Sequence, residues 1–481
     1  MSDHASHDIS RVHFVGIGGA GMSGLARILL DRGKVVTGSD RVDSETVAWL
    51  RAGGARVAVG HRADNLRLGG SLPTVVVTSF AAIPQDNPEL VAASEHGIAV
   101  IRRSDLLAEL MVGRKQALIA GTHGKTSTTS FAVGAFTAAG LDPSFAVGGV
   151  LASTGTNSHE GEGEWFIAEA DESDASLLRY RPDIAVVTNI EPDHLDYFGT
   201  PARYFEVFEK FCAKIAPDGY LVACLDDPHA AGLAARWHRL GGKVAGYGTT
   251  RAGAEHPHVP RLARLISTTD TPAGTVARVA LDDHEVELTA RTPGLHMALN
   301  ATAALVAGYL AGGEPGALAR GISSAAGVGR RFESHGVVTS GRCYGAEVID
   351  DYAHHPTEVA AVLRAARSKV EAAGSGNVVV VFQPHLYSRT QKFAAQFAAA
   401  LSAADQVVVL DVYPAREEPI EGVNGKLIAD AIDGAHFAPE TAEVPELVAS
   451  LAGPGDVVLT MGAGSVTSLA DPIFAALGEA R

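Results

Sequence analysis

The chain has 481 residues, of which 46% are hydrophobic and 20% charged, and its formal net charge at pH 7 is −16 with histidine neutral. A single hydrophobic core does not support this length, so two to four domains are expected. The acidic balance argues against a nonspecific nucleic-acid binder and against a protein attracted to anionic membranes, since both need clustered Lys and Arg.

Cysteine usage points to a reducing compartment. Cys212, Cys224 and Cys343 are scattered and show no Cys-x-x-Cys spacing, which indicates buried thiols. Residues 1–11 are polar and lack the apolar stretch of a secretion signal, and no window approaches the ~20 apolar residues of a membrane span. We therefore predict a cytoplasmic protein without a nucleic-acid or membrane partner.

Residues 1–113 alternate short β-branched runs with helical stretches. This alternation predicts a parallel sheet with helices on its faces, as in a Rossmann-like domain. The predicted strands are Val12–Val15, Val35–Gly38, Val57–Val59, Val75–Thr78 and Ala99–Ile101, and the predicted helices include Met22–Arg32 and Glu45–Ala52.

A second α/β block is predicted for residues 114–328. Alternating residues on both sides of the segment 282–284 predict an antiparallel hairpin, so the sheet of this block is expected to be mixed. Between about residues 249 and 262 the pattern breaks into Gly, Pro, His and Arg, and no element is predicted there. The predicted strands are Ala117–Ala120, Phe166–Ala168, Ile184–Asn189, Val276–Leu281 and Glu285–Thr289, and the predicted helices are Ser127–Ala139 and Met297–Leu310.

A third α/β block is predicted for residues 329–481. The economical architecture is an α/β chain of three domains: an N-terminal Rossmann-like domain, a central P-loop ATPase-like domain with a mixed sheet, and a C-terminal Rossmann-like domain. The predicted strands of the third block are Ala346–Ile349, Val378–Phe382, Gln406–Leu410 and Val457–Thr460.

The first of two candidate phosphate-binding loops is Gly16-x-Gly18-x-x-Gly21, which follows the first predicted strand. Its glycines permit a tight turn, backbone approach to a pyrophosphate and close helix packing. Asp40 ends the next strand, where an acid that binds a ribose belongs. These residues predict a pyrophosphate beside a ribose, which NAD and UDP-linked molecules both offer.

The second loop, Gly121–Thr126, resembles a nucleoside-triphosphate loop, although Ile119 stands where the usual pattern has glycine. Its backbone N–H groups would hold phosphates, Lys125 would reach the β and γ oxygens, and Thr126 would bind Mg²⁺. Together the two loops predict that an ATP-type phosphate donor meets a second nucleotide-bearing molecule. The candidate nucleotide-binding residues here are Gly121, Thr122, His123, Gly124, Lys125, Thr126 and Ser127.

Four acids follow the second predicted strand of the central block: Glu169, Asp171, Glu172 and Asp174. A carboxylate at a strand end beside such a loop holds Mg²⁺ in nucleotide-hydrolysing folds. Most of the four are expected to be solvated or capping. His194 follows the neighbouring strand, so the candidate metal ligands are Thr126, Glu169 and His194. A His ligand would make the site tolerant of Mn²⁺.

The third block carries its own polar groups. Arg330 and Arg331 stand at its start, where paired arginines can reach a transferring phosphate. Ligands bind at the carboxyl ends of strands in open α/β sheets, and Arg389 could pair there with a small carboxylate. The candidates at two such strand ends are Asp351, Tyr352, His354, His385 and Arg389.

Six segments in order resemble the Mur ligases of peptidoglycan synthesis over about residues 10–470. They are Gly16–Ser23, Gly121–Thr126, Glu169–Asp174, Asn189–His194, Arg330–Glu333 and Asp351–Thr357. The resemblance implies an ATP-dependent ligase that joins L-alanine to the lactyl carboxylate of UDP-N-acetylmuramate, as a monomer or homodimer. A recycling ligase that joins a tripeptide to the same sugar nucleotide is the alternative. An NAD-dependent oxidoreductase is a remote alternative, since that activity would not explain the second loop.

The resemblance also implies roles for single residues. The UDP-sugar positions are Gly18, Gly19, Asp40 and His61. The positions that complete a site for ATP and two Mg²⁺ ions are Asn300, Arg331 and Asp351. The alanine positions are Tyr352, His354, His385 and Arg389. The candidate catalytic residues are Lys125, Glu169, His194 and Arg331.

Two positions depart from the family pattern. Met297 replaces an Asn that usually contacts the nucleotide base, while Asn300 is kept. Leu386 replaces an Arg, which leaves Arg389 to bind the alanine carboxylate with less help.

Overall fold

The computed structural model describes residues 7–80, 82–271, 274–415 and 417–479, without the side chain of residue 196. Part of the polar segment 1–11 therefore lies outside the described residues. The described chain forms two compact units, the first made of residues 7–265, 279–286 and 300–325 and the second of the remaining residues. No helix in these residues combines the length and the apolar character that a bilayer-spanning helix needs.

The first sheet has five parallel strands in the order β3-β2-β1-β4-β5. The predicted parallel sheet is confirmed, and each predicted element lies within two residues of an observed one. Because β1 pairs with both β2 and β4, its carboxyl end lies where the strand order reverses, the usual binding position in such sheets. The elements are β1 (Arg11–Val15), α1 (Ala20–Asp31), β2 (Val35–Asp40), α2 (Glu45–Ala52), β3 (Arg56–Val59), β4 (Val75–Thr78), α3 (Pro88–Glu95), β5 (Ala99–Arg102) and α4 (Arg103–Leu110).

The second sheet has ten strands and is mixed, as predicted. Its order is β15-β14-β13-β12-β11-β10-β6-β9-β7-β8. The strand β6 pairs in parallel with β10 and β9, while β7 and β8 are antiparallel. The strands are β6 (Lys115–Ala120), β7 (Ser144–Leu151), β8 (Thr156–His159), β9 (Trp165–Glu169), β10 (Ile184–Val187), β11 (Tyr220–Cys224), β12 (Val244–Thr249), β13 (Arg261–Thr271), β14 (Gly274–Leu281) and β15 (His284–Ala290).

The helices that accompany this sheet are α5 (Lys125–Ala138), α6 (Leu195–Phe198), α7 (Pro201–Cys212), α8 (Pro228–Arg239), α9 (Thr250–Glu255), α10 (Leu295–Leu310) and α11 (Pro315–Ser324). Residues 249–262, where the sequence pattern breaks, contain one helix and the start of a strand. The helix α9 is capped by the Thr249 side chain, which accepts from Ala252 N, and β13 begins at Arg261. Polar, solvent-facing positions hid both elements from a reading based on apolar runs.

The third sheet lies in the second unit, with the order β16-β17-β21-β18-β19-β20. It is parallel except for the antiparallel edge pair β16–β17. Both the edge strand β16 and the short β20 were missed, since neither has an apolar run. The elements are β16 (Glu333–Val337), β17 (Glu347–Asp351), α12 (Pro356–Ala373), β18 (Val378–Phe382), α13 (Tyr387–Leu401), β19 (Gln406–Val409), α14 (Lys426–Ala429), β20 (His436–Phe437), α15 (Val444–Leu451), β21 (Val457–Met461) and α16 (Ala470–Glu479).

All three sheets are apolar at their centres, and the three cysteines are buried and free, as expected for structural thiols. Burial raises the pKa of Cys212 to about 12, so this thiol stays protonated. The prediction of an α/β chain is confirmed, and the domain boundaries stay a prediction.

Candidate active site

The first loop is shaped by contacts with β2. The N–H groups of Gly16 and Ile17 donate to the Ser39 carbonyl at 2.8 and 3.0 Å, and Gly18 N donates to Asp40 Oδ2 at 2.8 Å. A Cβ on Gly18 would lie 2.9 Å from that oxygen, so a larger residue would displace the Asp40 carboxylate. Gly19 caps α1 without a side-chain hydrogen bond, which leaves the helix N terminus open to an anion.

Behind this loop lies a buried carboxylate that the sequence did not reveal. Glu89 is 0% exposed and accepts hydrogen bonds from His13 Nε2 at 3.0 Å, Ser39 Oγ at 2.6 Å and Asn65 Nδ2 at 2.6 Å. Burial opposes the charge, but these hydrogen bonds hold the pKa of Glu89 below its usual value. His61 joins the group through Ser39 Oγ at 2.9 Å, so the network supports both the loop and a predicted substrate residue.

The second loop also needs its glycines. Gly121 has a φ of +133°, and a Cβ there would overlap the Thr188 hydroxyl. Gly124 has a φ of +81°, and a Cβ there would lie 2.8 Å from Asn300 Oδ1. Asn300 therefore lies directly against the loop, where the family resemblance places it.

The loop is held from the strand end of β10. His123 N donates to Asn189 Oδ1 at 2.9 Å, and His123 Nε2 lies 3.0 Å from Glu191 Oε2. The Thr122 hydroxyl lies 2.7 Å from the buried hydroxyl of Tyr204, a residue without any motif in the sequence. These contacts hold the loop against the end of β10.

Lys125 begins α5 and folds back onto its own loop. Its ammonium donates to Gly121 O at 2.7 Å and Thr122 O at 3.2 Å, and it lies 2.8 Å from Glu172 Oε2. Burial opposes the charged ammonium, but nearby carboxylates led by Glu172 outweigh it and raise the pKa of Lys125. Burial raises the pKa of Glu172 as well.

The four acids after β9 take different roles. Asp171 and Asp174 accept from Ser173 N and Ser176 N at 3.0 Å, as capping residues do. Glu172 departs from the expectation of a solvated acid, because it is 1% exposed and paired with Lys125.

Two of the three candidate metal ligands lie together. Thr126 Oγ1 lies 3.2 Å from Glu169 Oε2, and Glu169 Oε1 accepts from Gly148 N at 2.7 Å. His194 lies on the loop after β10 with a left-handed backbone, φ +52°, and its Nε2 is 3.7 Å from Asp193 Oδ2. The backbone conformation is uncommon for a residue other than glycine. Ser127 lies beside Thr126 in the first turn of α5.

A cavity of about 450 Å³ in the first unit is lined by both loops. One wall includes Gly19 and Gly21, and Lys125 and Glu169 line it from the second loop and β9. The two loops that the sequence suggested thus open into one space.

Contacts between α1 and the β7–β8 hairpin hold the two loops in this arrangement. Asn157 Nδ2 donates to Ala20 O at 2.5 Å. Glu160 accepts from Arg32 Nη2 at 3.0 Å and from Arg114 Nη2 at 2.8 Å.

In the second unit both paired arginines lie over the Tyr352 ring, Arg330 at 4.8 Å, but their polar contacts differ. Arg330 Nε donates to the fully buried Asp350 at 3.2 Å, and its Nη2 donates to the Gly462 carbonyl at 2.7 Å. The prediction that both arginines serve a phosphate is therefore corrected for Arg330, whose contacts are structural. Arg331 lies over the Tyr352 ring at 5.1 Å, and its charge acts on Asp351.

Asp351 is a second buried acid. It accepts from Phe332 N at 2.8 Å and Ala353 N at 2.7 Å. Burial outweighs these bonds and the Arg331 charge, and raises the pKa of Asp351 to about 6.

The predicted alanine residues cluster at the ends of β17 and β18. The His354 ring lies 5.3 Å from Tyr352 and 5.9 Å from His385. Burial lowers the pKa of His354 to about 4, and the charge of the buried Arg389 acts in the same direction. Sequence reasoning missed Tyr413, whose ring stacks on His385 at 5.8 Å.

Met297 and Leu386, the two residues that depart from the family pattern, lie in different surroundings. Met297 is buried with 9% exposure. Leu386 has a φ of +69°, a strained conformation for a side chain of its size, just before α13.

Three family models match the chain in succession: Mur ligase family, catalytic domain, at residues 11–115; Mur ligase middle domain at residues 119–308; and Mur ligase, glutamate ligase domain, at residues 330–464. The chain belongs to the Mur ligase family. The three matches follow one another along the chain in the same order as the three sheets.

Individual members of the family are similar over the full length. The UDP-N-acetylmuramate–L-alanine ligase of Rhodococcus jostii is 52% identical, covering 98% of this chain and 97% of that protein. The ligase of the same name from Mycolicibacterium vanbaalenii is also 52% identical, with the same coverage. The crystal structure of the UDP-N-acetylmuramate-alanine ligase MurC from Thermotoga maritima matches with a TM-score of 0.77 at 28% identity, covering 98% of this chain and 99% of that chain.

Proposed function

We propose that the chain is an ATP-dependent ligase that joins L-alanine to the lactyl carboxylate of UDP-N-acetylmuramate, through an acyl phosphate and with release of ADP and phosphate. The single observation that carries the proposal is the cavity lined by both loops, since it gives a phosphate donor and a nucleotide-linked acceptor one shared space. The names of the 52% identical relatives support the choice of substrates.

The donor side is assigned to the second loop. The N–H groups of residues 121–127 and the N terminus of α5 would bind the ATP phosphates, with Asn300 beside them. The residues present fit a divalent metal, because Thr126 and Glu169 offer only oxygen atoms 3.2 Å apart, which Mg²⁺ prefers. A bound metal ion would neutralise charge on the phosphates. We propose two ions, with His194 as a ligand of one and Mn²⁺ able to substitute.

The acceptor side is assigned to the first loop. Gly18 and Gly19 would approach the UDP diphosphate through their backbone, while Asp40, fixed by Gly18 N, lies where a ribose is bound in such folds. His61, held by the Glu89 network, completes this set.

The second unit is assigned the amino acid. Tyr352, His354 and His385 form the cluster that would surround alanine, and Arg389 would bind its carboxylate. Arg331 and Asp351 are assigned to the nucleotide. We propose three domains, 1–113 for the UDP-sugar, 114–328 for ATP and 329–481 for the amino acid, a division that the three family-model matches support.

The reaction follows from charge and position. The lactyl carboxylate attacks the γ-phosphate, the bond to the β-phosphate breaks, and an acyl phosphate and ADP form. The alanine amine then attacks the acyl carbon, and phosphate leaves from the tetrahedral intermediate. Carboxylate and triphosphate repel each other, so the Lys125 ammonium is needed to neutralise the transferring group. Positioning by the two fixed loops supplies much of the remaining acceleration.

The experiment that tests this proposal is a substrate panel. Phosphate release is measured with ATP, Mg²⁺ and UDP-N-acetylmuramate in the presence of L-alanine, glycine, L-serine or the peptidoglycan tripeptide. L-Alanine is expected to support turnover, and the Lys125→Ala variant is expected to be inactive with every acceptor. If only the tripeptide supports turnover, the chain is a recycling ligase and the proposed acceptor is wrong.

A further inference from the structure

Arg103 is a cation of the shared cavity that no motif identified. It is the first residue of α4, directly after β5, and its side chain lies against Gly21 of the first loop. A Cβ on Gly21 would lie 2.9 Å from Arg103 Cδ and 3.2 Å from both Nε and Nη1. Gly21 thus makes room for a guanidinium.

The charge of this guanidinium acts on Asp171 and Tyr180 without a direct contact. Among the residues that the structure describes, it makes neither a hydrogen bond nor an ion pair. Its field reaches Asp171, but Lys125 and hydrogen bonds from Ser173 act more strongly on that carboxyl. The neighbouring Arg102 differs, since its guanidinium lies over the Phe80 ring at 5.7 Å and 3.9 Å from Asp174 Oδ2.

Two acids, Glu169 and Asp171, line the cavity together with Lys125, but the part of it between Arg103 and the glycine loop suits an anion. The Arg103 side chain is half-buried, which limits the screening of its charge by water. Glycines form the cavity wall beside it. A planar guanidinium can bind two oxygens of one phosphate at once. The position against Gly21 places it beside the loop assigned to the UDP diphosphate.

We propose that Arg103 binds the diphosphate of the sugar nucleotide and so contributes to the selection of a nucleotide-linked acceptor. The proposal rests on the proposed function, because it takes the UDP-sugar as the ligand of the first loop. Arg103 would act on ground-state binding as well as on turnover, since the diphosphate is unchanged in the reaction.

The test measures ligand binding by calorimetry with the full chain and its Arg103→Gln, Arg103→Lys and Arg102→Gln variants. The ligands are UDP-N-acetylmuramate, UDP-N-acetylglucosamine, which has the diphosphate but no lactyl carboxylate, and an ATP analogue. Arg103→Gln is expected to weaken both sugar nucleotides by about tenfold to a hundredfold, as loss of a charge-assisted pair does. Arg103→Lys should recover part of the loss, while Arg102→Gln and ATP-analogue binding should be unchanged.

The outcomes separate the proposals. Equal loss for both sugar nucleotides, with an unchanged melting temperature of the ligand-free variant, supports a diphosphate contact. Loss confined to UDP-N-acetylmuramate would place Arg103 on the lactyl carboxylate, and no loss would remove it from the site; either result overturns the inference. If the unsubstituted protein itself fails to bind UDP-N-acetylmuramate, the proposed function fails instead.

Discussion

The ammonium nitrogen of Lys125 lies 2.8 Å from Oε2 of Glu172, a side chain that is 1% exposed. The ammonium group that is assigned to the triphosphate thus donates hydrogen bonds to two loop carbonyls and pairs with a buried carboxylate. Glu172 therefore neutralises the Lys125 ammonium and fixes its position on the loop.

Replacing Lys125 by Met should abolish activity and also destabilise the fold, because it leaves Glu172 buried without its partner. Removing one member of a buried pair costs about 3–5 kcal/mol in free energy of unfolding. In Lys125→Met/Glu172→Gln the stability should largely return while the activity stays lost. Urea unfolding and phosphate release measure the two effects. Additive losses of stability in the double variant would contradict the coupling.

Replacing Glu169 by Gln should raise the Mg²⁺ concentration needed for half-maximal turnover. The amide keeps the size of the side chain but loses the negative charge that attracts the ion. Glu164→Gln is the matched control. Glu164 directly precedes β9, and its exposed side chain pairs with Lys115. Equal Mg²⁺ curves for both variants would remove Glu169 from the metal site.

Replacing Glu89 by Gln should destabilise the first unit by about 2–3 kcal/mol, because one buried acceptor oxygen becomes a donor that faces other donors. The same variant should weaken UDP-sugar binding through His61. Glu95→Gln, on the exposed end of α3, should stay within about 0.5 kcal/mol of the unsubstituted protein. Thermal unfolding measures the melting temperatures of the Glu89→Gln and Glu95→Gln variants. Equal melting temperatures would contradict a stabilising role for the Glu89 network.

Replacing Arg330 by Ala should affect mainly stability, whereas replacing Arg331 by Ala should affect mainly turnover. Arg330→Ala leaves the buried Asp350 without its cation and should lower stability. Arg331→Ala should leave the melting temperature nearly unchanged and reduce kcat by orders of magnitude, as loss of a phosphate-stabilising charge does. A stable, inactive Arg330 variant beside an active Arg331 variant would reverse the assignment.

His354 should make the second unit sensitive to acid. Its folded pKa is lowered to about 4 by burial, so below its ordinary value of 6.5 the unfolded chain binds a proton that the native state resists. Stability is therefore full above pH 6.5 and is lost as the pH falls towards 4, by about 2 kcal/mol at pH 5. Asp351, with a raised pKa, acts in the opposite direction over a similar range.

Comparing His354→Gln with the unsubstituted protein isolates the histidine from Asp351. Urea unfolding at pH 7 and pH 5 should show a smaller loss of stability on acidification in the variant. An identical loss in both proteins would mean that folding leaves the pKa of His354 unchanged, which contradicts the lowered value.

The elements and the candidate site were predictable to different degrees. Apolar β-branched runs such as Val75–Thr78 located strands, because burial in a parallel sheet demands them. Helices began up to two residues before their predicted starts, since loop residues such as Lys125 already form the first turn. Phosphate loops were recognisable because their chemistry requires a fixed local sequence.

Buried charges could not be predicted in the same way. Glu89 and His13 are 76 positions apart, and Lys125 and Glu172 are 47 apart, so nothing local marks either pair. Arg103 begins α4 without any local motif, and only the fold brings it to Gly21. Such residues depend on tertiary partners, whereas the loops depend on their own backbone.

The most direct test of the central claim uses UDP-N-acetylmuramate labelled with ¹⁸O in both oxygens of the lactyl carboxylate. With ATP and L-alanine, mass spectrometry should find one ¹⁸O in each phosphate released and one retained in the UDP-N-acetylmuramoyl-L-alanine formed, because the carboxylate attacks phosphorus and phosphate then leaves with that oxygen. Product formation with unlabelled phosphate, or phosphate release that does not depend on L-alanine, would contradict a ligase that acts through an acyl phosphate.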